Sequence, residues 1–586
     1  MASLSQPPLA TTNKVSLCPK FFPKRTQITK FAKQNHYLGP RVVSCNAKND
    51  EQNHTPGSKF ERRDVLIGIG GLYGATNLYH DDPFAMAAPV SAPDLTKCSK
   101  ADLPEGATPI NCCPPSSTKI TDFKLPAQNS PLRVRPAAHL ANKEYIAKYN
   151  QAIKLMKALP ADDPRNFTQQ ANVSQTLKSK FTTLGFSIPS IVTTSTSTKK
   201  ILGKLINDPN FALPFWNWDS PSGMQMPAIF ADTKASLYDP LRNADHQPPT
   251  LLDLDYSGTD ESTTNQDQLA SNLNVMYRQM VSNGKNPTLF FGSAYKAGDD
   301  PDPGAGSIEN IPHGNIHLWC GDKTQPNFEN MGNFYSAGRD PIFFAHHSNC
   351  DRMWTIWKTL GGKKRNDITD KDWLNTTFLF YDENAQPVRV KVKDCLETTK
   401  LGYVYQKVDI PWLKTKPTPR KSKTKKVAKL FQLGGGGVGA AQAAESTGST
   451  TGSVTFPIVL DKVISTLVSR PKQSKRSKDE KEDEEEVLVI EGIQFQKDEA
   501  VKFDVYINDE DDLPSGPDKT EFAGSFVNVP HKHSHTKKMN TVLSLGITDL
   551  LEDLDAEDDE SVVVTLVPKY GKGVATIGGI KIQFVS

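Results

Sequence analysis

The pattern of apolar and polar positions divides the chain into a helical part and a β-rich end. Apolar residues recur with helical periodicity over 145–159 and again over 340–360, where Pro341 stands in the first turn. After residue 456, short alternating apolar runs are separated by Gly, Pro and acidic turns, at 487–490, 501–506, 561–567 and 580–585. We therefore predict a mainly α core with loops, followed by a C-terminal antiparallel β domain.

A segment of different composition joins the two parts. Residues 414–429 are rich in Lys, Pro and Thr, and residues 434–452 are rich in Gly, Ala, Ser and Thr. Such composition is typical of a flexible linker, which we place at residues 414–455. The highly charged residues 472–486 are predicted to form a loop of the β domain. At 586 residues, the chain is long enough for at least two packed domains.

Charge and composition exclude several functions. The net charge is +3, from 69 basic and 66 acidic residues, so no excess of one sign favours nucleic acid as a partner. No uninterrupted apolar run approaches the roughly 20 residues that span a bilayer, and we predict a soluble mature protein. The eight cysteines are too few for a disulfide scaffold. Cys98, Cys112 and Cys113 nevertheless cluster, which favours an oxidising compartment.

The N-terminal region has the composition of targeting signals. Residues 1–60 are rich in Ser, Thr, Lys and Arg, which is typical of a chloroplast transit peptide. Residues 61–87 hold Arg62 and Arg63, an apolar stretch and a small-residue cleavage motif, typical of a twin-arginine signal for the thylakoid lumen. The alternative is an ordinary amphipathic segment after an unstructured tail. We predict a mature chain that starts near Ala88, with the import machinery of plastid and thylakoid as partners.

Three histidine positions suggest a metal site. His313 and His317 stand four residues apart, so on a helix both imidazoles would point the same way. A third position follows about thirty residues later at the adjacent His346 and His347, of which at most one is expected to be a ligand because they point about 100° apart on a helix. Imidazoles without an acidic cluster suit copper, zinc or iron. An H-x-x-x-H pair alone also arises by chance.

The strings around these histidines resemble a known family. The segments ENIPH (309–313), GNFYSAGRDP (332–341) and HHSNCDRMW (346–354) closely resemble the second-copper region of tyrosinases and plant catechol oxidases. The likeness extends to FALPFWNWD (211–219) and to KFDV (502–505), so that it covers nearly all of the mature chain. The chain thus resembles plant chloroplast polyphenol oxidases. That resemblance implies a tyrosinase-like di-copper helical bundle over residues 88–413.

The resemblance also implies an activity and a set of site residues. Members bind two coppers per chain and oxidise o-diphenols to o-quinones, with O2 reduced to water. By position in the motif, His313, His317 and His347 would bind the second copper, Phe334 would gate it, and Glu309 would orient a water molecule. The β domain, residues 456–586, would shield the substrate entrance until the linker is cleaved. Phenols and O2 are the small-molecule partners that this implies.

The segment that carries the first copper in the family departs from the family pattern. No histidine occurs from Leu140 to Asp245, and residues 175–200 are aberrant and rich in Ser and Thr. Because β-branched hydroxyl residues have poor helix propensity, we predict local disorder there. The usual partner of one N-terminal cysteine is missing as well, so the resemblance leaves Cys98 to pair with Cys113, with Cys112 unpaired.

A shift of reading frame is one explanation for this segment. A family-like peptide, PDLEIQVHNSWLF, written in suitable codons and read one base out of step, gives QTLKSKFTTLGF, the sequence of residues 175–186. The same displacement turns HRYYLYFYEK into a string that ends as residues 192–200. Two hypotheses stay open: a latent polyphenol oxidase whose reading frame is wrongly translated here, or a non-catalytic relative with only the second copper site. An oxygen carrier also needs both coppers, and plastid targeting disfavours it.

Overall fold

The computed structural model describes most of the chain after residue 88. The described ranges are 89–92, 115, 119–127, 129–180, 187–260, 263–294, 304–333, 335–420, 450–451, 454–471, 476–496, 498–509, 516–530 and 538–586, with backbone only for 174–180, 187–195 and 450–451. Both predicted targeting signals, Cys98, Cys112, Cys113, Phe334 and most of the predicted linker lie outside the described residues.

Helices make up most of the first part. Asn142 caps the first helix, since its side chain accepts a hydrogen bond from the Tyr145 amide. Two π-helical turns, Arg278–Ser282 and Glu309–Gly314, interrupt the regular helices. The α-helices are α1 (Lys143–Lys157), α2 (Phe167–Lys180), α3 (Ser187–Leu205), α4 (Asn265–Tyr277), α5 (Pro287–Phe291), α6 (Asn315–Cys320), α7 (Ile342–Trp357) and α8 (Lys371–Asn375). Short 3-10 turns lie at Ala138–Leu140, Pro221–Gly223, Ala228–Phe230, Ala244–His246, Ala337–Arg339, Val392–Asp394 and Pro411–Lys414.

Two small sheets accompany these helices. The first pairs β1 (Thr121–Asp122) in parallel with β4 (Pro387–Lys391), which is antiparallel to β3 (Thr377–Tyr381). The second pairs β2 (Arg133–Arg135) in parallel with β5 (Tyr403–Tyr405). They join residues far apart in sequence, so the segment before α1 is fixed to the end of the helical part.

The C-terminal part consists of two five-stranded sheets with a shared apolar core. One has the order β11–β10–β13–β8–β6; the other has the order β12–β9–β14–β7, with β15 also paired to β9. Two short helices, α9 (Lys478–Asp483) and α10 (Thr548–Asp553), flank the sheets. The strands are β6 (Thr450–Thr451), β7 (Ile458–Val459), β8 (Ile464–Ser469), β9 (Glu485–Gln496), β10 (Val501–Ile507), β11 (Phe522–Asn528), β12 (Lys538–Gly546), β13 (Ser561–Tyr570), β14 (Thr576–Ile577) and β15 (Gly579–Val585).

The predicted fold class is confirmed, with two local corrections. Over residues 175–200 we predicted disorder, but α2 continues to Lys180 and α3 begins at Ser187. Ile201 and Leu202 of α3 are buried, and the helix packs against α1 and α7. Tertiary packing thus overrides a poor helix propensity. The charged residues 472–486 are not simply a loop either, because they contain α9 with its capping box and the start of β9.

Buried ion pairs brace the helical core. In one of them, Arg242 donates to both carboxylate oxygens of Asp340, at 2.7 and 2.6 Å, and both side chains are almost fully buried. Such bidentate pairs hold two chain segments in a fixed relative position. Here the pair joins the loop before residue 244 to the start of α7. Two further buried pairs in this core, Arg135–Asp351 and Arg352–Asp219, are joined through one nitrogen and one oxygen each.

Removal of one partner should strongly destabilise this core. In Asp340→Ala, the Arg242 guanidinium stays buried without its carboxylate, and we expect the free energy of unfolding to fall by about 3–5 kcal/mol. Denaturant unfolding followed by tryptophan fluorescence measures the change. Glu397→Ala, which removes the exposed partner of Lys400, is the control and should change little. Equal effects of the two substitutions would contradict the prediction.

Candidate metal centre

Three of the histidines identified in the sequence converge on one point. The Nε2 atom of His347 lies 3.0 Å from that of His313 and 3.4 Å from that of His317. All three side chains are buried. His313 belongs to the π-helical turn, His317 to α6 and His347 to α7, so three short elements place them. This convergence is the arrangement that a trigonal imidazole site for one metal ion requires.

Each imidazole is held by its other nitrogen. The Nδ1 atoms of His313, His317 and His347 lie 3.3, 2.7 and 2.7 Å from the main-chain oxygens of Glu309, Met331 and Phe343. Because a carbonyl oxygen only accepts, each Nδ1 must carry the proton that it donates. The Nε2 lone pairs then face one another. This tautomer and this ring anchoring are those of histidines that ligate a metal.

His346 lies beside the cluster. Its ring stacks on that of His313, with centroids 5.3 Å apart and an angle of 11° between the planes, and it tilts against Trp218 at 6.1 Å. The ligand atoms of all four histidines lie within 4.8 Å of one another. Of the adjacent pair, His347 has its Nε2 atom within 3.4 Å of the Nε2 atoms of His313 and His317. His346 packs against Trp218.

Glu309 and the described cysteines lie near the cluster or in the core but are not among the three converging histidines. Glu309 is buried at the start of the π-helical turn, four residues before His313. The three cysteines within the described residues, Cys320, Cys350 and Cys395, are buried. Burial raises the pKa of the Cys320 thiol well above its usual range, so this thiol stays protonated and is a poor metal ligand.

A strand of the C-terminal part packs against the turn that carries His313. The amide of Val527 in β11 donates to Asn310 Oδ1 at 3.1 Å, next to Glu309 in the sequence. A Cβ atom at Gly314, the residue after His313, would lie 3.4 Å from Val527 Cγ1. Val527 is also part of the apolar core of the helical part. The sequence pattern does not predict β11, because its residues FAGSFVN do not alternate between apolar and polar types.

Polar contacts around this strand fix the two parts together. The Lys502 ammonium of β10 lies 3.0 Å from the Asp255 carboxylate and 2.6 Å from the Asp255 carbonyl oxygen. On another side, Lys285 lies 3.4 Å from Glu485 of β9. Asn283 donates to the carbonyl oxygen of Ala523 at 3.0 Å. The interface therefore combines apolar contacts at the centre with buried polar pairs around them.

Three family models match the chain. The common central domain of tyrosinase matches residues 191–360, the polyphenol oxidase middle domain matches 367–418, and the chloroplastic polyphenol oxidase C-terminal domain matches 456–584. The tyrosinase match begins within α3, so the aberrant residues before it lie outside the match. The first two matches lie in the helical part with its small sheets. The third covers the two five-stranded sheets.

Known relatives match along the whole length. A chloroplastic polyphenol oxidase from Malus domestica is 59% identical over all of both chains, and one from Vitis vinifera is 50% identical over 99% of this chain and 98% of its own. Among solved structures, latent apple tyrosinase has a TM-score of 0.73 at 61% identity and covers 80% of this chain and 100% of its own. Latent aurone synthase has a TM-score of 0.76 at 39% identity and covers 85% of this chain and 99% of its own.

Fold, site and relatives define one class of protein, the tyrosinase-type copper oxidoreductases. Within that class, the chain belongs to the chloroplast polyphenol oxidase family of plants. Proteins of the tyrosinase family bind copper, and the cluster of His313, His317 and His347 fits that metal, because three neutral imidazoles are a ligand set that suits copper.

The described residues provide ligands for one such ion. The histidine cluster is the one group of three or more His, Cys, Asp or Glu side chains among them whose ligand atoms lie close enough to hold a metal. The sequence has no histidine from Leu140 to Asp245, the region that includes α1, α2 and α3. None of the described helices has the length and apolar composition that crossing a membrane requires.

Proposed function

We propose that the protein is a latent polyphenol oxidase that oxidises o-diphenols to o-quinones while O2 is reduced to water. The observation that carries the proposal is the convergence of the three Nε2 atoms at 3.0 and 3.4 Å, in a chain 59% identical to a polyphenol oxidase. Bound copper would supply the electron transfer by which two catechols and one O2 give two quinones and two waters. The family names of the relatives support this reaction.

The chain's own residues would bind, orient and exclude water. His313, His317 and His347 would hold a copper ion, and their carbonyl partners would keep the rings oriented. The buried carboxyl group of Glu309 would position a water molecule near the metal. Phe334 would form the gate above it. The aromatic and apolar surroundings, among them Phe343 at 4.0 Å from the His347 ring, would keep bulk water from the centre.

The number of coppers decides between two functions. If this sequence is the native one, the absence of histidines from Leu140 to Asp245 favours a non-catalytic protein with one copper ion. If the segment 175–200 reflects a wrong reading frame, the native chain would hold two coppers and be active. The matches to polyphenol oxidases along the whole chain support the second case.

We also propose the domain roles and the location. Residues 88–413 would form the copper domain, 414–455 the cleavable linker and 456–586 the shield, since Val527 packs against the turn that carries His313. Residues 1–60 and 61–87 would direct the chain to the thylakoid lumen through the plastid and thylakoid import machinery. The relatives' names, which include the word chloroplastic, support the first step. A Cys98–Cys113 disulfide would form there, with Cys112 left as a thiol.

One experiment tests the function and the metal count together. Copper per chain, oxygen uptake with catechol and the copper electron spin resonance signal are measured on the mature protein isolated from the plant, in which the native reading frame is translated, before and after proteolysis of the linker. Two coppers, a silent spectrum and uptake after cleavage support the oxidase. One copper with a mononuclear Cu(II) signal and no uptake supports the non-catalytic protein. No copper at all would overturn both.

A further inference from the structure

The carbonyl group that orients one histidine of the cluster lies in a loop. His317 donates from Nδ1 to the main-chain oxygen of Met331 at 2.7 Å. Residues 322–333, which include Met331, form turns and bends without a helix or strand. Because no ladder of backbone hydrogen bonds fixes a loop carbonyl, its position depends on how the neighbouring residues of the loop are held.

Asn330, the residue before Met331, is held at three points. Its amide donates to the Leu241 carbonyl oxygen at 3.2 Å, and its own carbonyl oxygen accepts from the Ser336 hydroxyl at 2.8 Å. Its side-chain Nδ2 atom donates to Asp239 Oδ2 at 2.8 Å. The side chain of Asn330 therefore ties this loop to a segment 91 residues earlier in the chain.

The segment that holds Asn330 is itself fixed to the start of α7. The Oδ1 atom of Asp239 accepts from the amide of Leu241 at 2.9 Å, so the carboxylate bonds both its own turn and the loop. The adjacent Arg242 forms the buried bidentate pair with Asp340. Because α7 carries one histidine of the cluster and the loop orients another, this segment connects the supports of two of them.

The Asp239 carboxylate depends on its hydrogen-bond donors. Asp239 is 6% exposed, and burial together with the negative charge of Asp340 raises its pKa to about 6. The hydrogen bonds from Asn330 and from the Leu241 amide, and the charge of Arg242, oppose this rise. At neutral pH the carboxyl group is ionised. Loss of the Asn330 amide would therefore leave a buried charge with fewer donors.

We propose, on the basis of the copper site proposed above, that Asn330 and Asp239 are positioning residues that hold the Met331 carbonyl group against His317. Their hydrogen bond would keep the carbonyl oxygen where it meets Nδ1, which fixes the ring and leaves Nε2 free to bind copper. None of these residues lies within residues 175–200, so either of the two forms of the protein proposed above would contain this link.

Replacement of Asn330 should weaken copper binding without removing a ligand. In Asn330→Ala the side-chain bond is lost, and we expect copper affinity to fall by about 10-fold, the lower end of the effect of groups that orient a metal ligand. Competition with a graded chelator, taken to equilibrium, measures the affinity and does not depend on oxidase activity. Asn330→Asp faces Asp239 with a second carboxylate and should weaken binding at least as much.

An exchange of the two side chains tests the hydrogen bond itself. In the double variant, Asp239→Asn with Asn330→Asp, the amide at position 239 would donate to the carboxylate at position 330. Its oxygen could still accept from the Leu241 amide. Copper affinity should therefore return close to the wild-type value, whereas a loss of stability that is unrelated to this bond would not be reversed by the second change.

Asn166→Ala is the matched control. Asn166 is buried and uses both ends of its side-chain amide, on the Leu159 carbonyl oxygen at 2.7 Å and on the Thr168 amide at 2.8 Å, so its bonds stay within residues 159–168. This variant should melt at a lower temperature but bind copper as the wild type does.

Three results would overturn the positioning role while the proposed copper site stands. They are unchanged copper affinity in Asn330→Ala, an exchange variant as weak as Asn330→Asp, and an equal loss of affinity in Asn166→Ala. A wild-type protein that binds no copper would overturn the positioning role and the proposed function together.

Discussion

Replacement of His347 by alanine should remove copper from the protein. His347 has the closest Nε2 contacts in the cluster, at 3.0 and 3.4 Å, so its loss leaves only His313 and His317 to bind the ion. Changes to groups that merely orient a ligand weaken metal binding by about 10–100-fold, and removal of a ligand itself should exceed that. Metal analysis after dialysis against a weak chelator measures the effect.

His139→Ala provides the matched control. This histidine lies outside the cluster and is only partly buried, so its removal should leave the copper content unchanged. The two variants should also differ little in their far-ultraviolet circular dichroism, because alanine has a high helix propensity and His347 lies in the interior of α7. Full copper binding by folded His347→Ala would rule out the proposed ligand set.

Local sequence patterns correctly predicted several of the helices and strands. The helix predicted over 340–360 is α7, Ile342–Trp357, and the four alternating runs are β9, β10, β13 and β15. The start of α7 is marked by Pro341, and β10 alternates apolar residues with Lys502, Asp504 and Tyr506, patterns that a sequence records directly. The i, i+4 spacing of His313 and His317 predicted shared orientation. The structure adds that they belong to different elements, because the π-helical turn ends between them.

Contacts between distant segments could not be inferred. The strand β11 is buried on both faces, and its position over Gly314 depends on how the β domain packs against the helical part. The same holds for the pairing of Lys502 with Asp255, which are 247 residues apart. Sequence patterns report which residues are buried but not what buries them.

In the aberrant segment, residues 175–200, the sequence predicted less structure than the protein has. The sequence predicted disorder, yet α3 forms, and its poor fit appears in its side chains. The Thr198 hydroxyl is buried without a hydrogen-bond partner among the described residues, and Lys199 is buried beside other cations. In the family string the residues at 199 and 200 would be Glu and Lys, where this chain has Lys199 and Lys200. Two poorly accommodated polar side chains in one buried segment agree with the reading-frame hypothesis.

The second large effect concerns access to the metal. In Asp255→Ala, the Lys502 ammonium, 2% exposed, keeps Asp504 of the same strand at 3.5 Å and the more distant charge of Asp253. A broken buried pair is unfavourable by about 3 kcal/mol or more, and that loss falls on the docked state of the β domain. If this domain shields the copper, a chelator should extract copper on the order of 100-fold faster from Asp255→Ala than from the wild type.

Two comparisons separate shielding from general instability. Asp245→Ala removes the carboxylate of an exposed pair with Lys323, so it should leave extraction as slow as in the wild type. Proteolysis of the linker followed by removal of the β domain should give the fastest extraction, and Asp255→Ala should add nothing to it. If Asp255→Ala lowers the melting temperature but leaves extraction slow, then β11 does not control access, and the contact of Val527 with the metal centre is only structural.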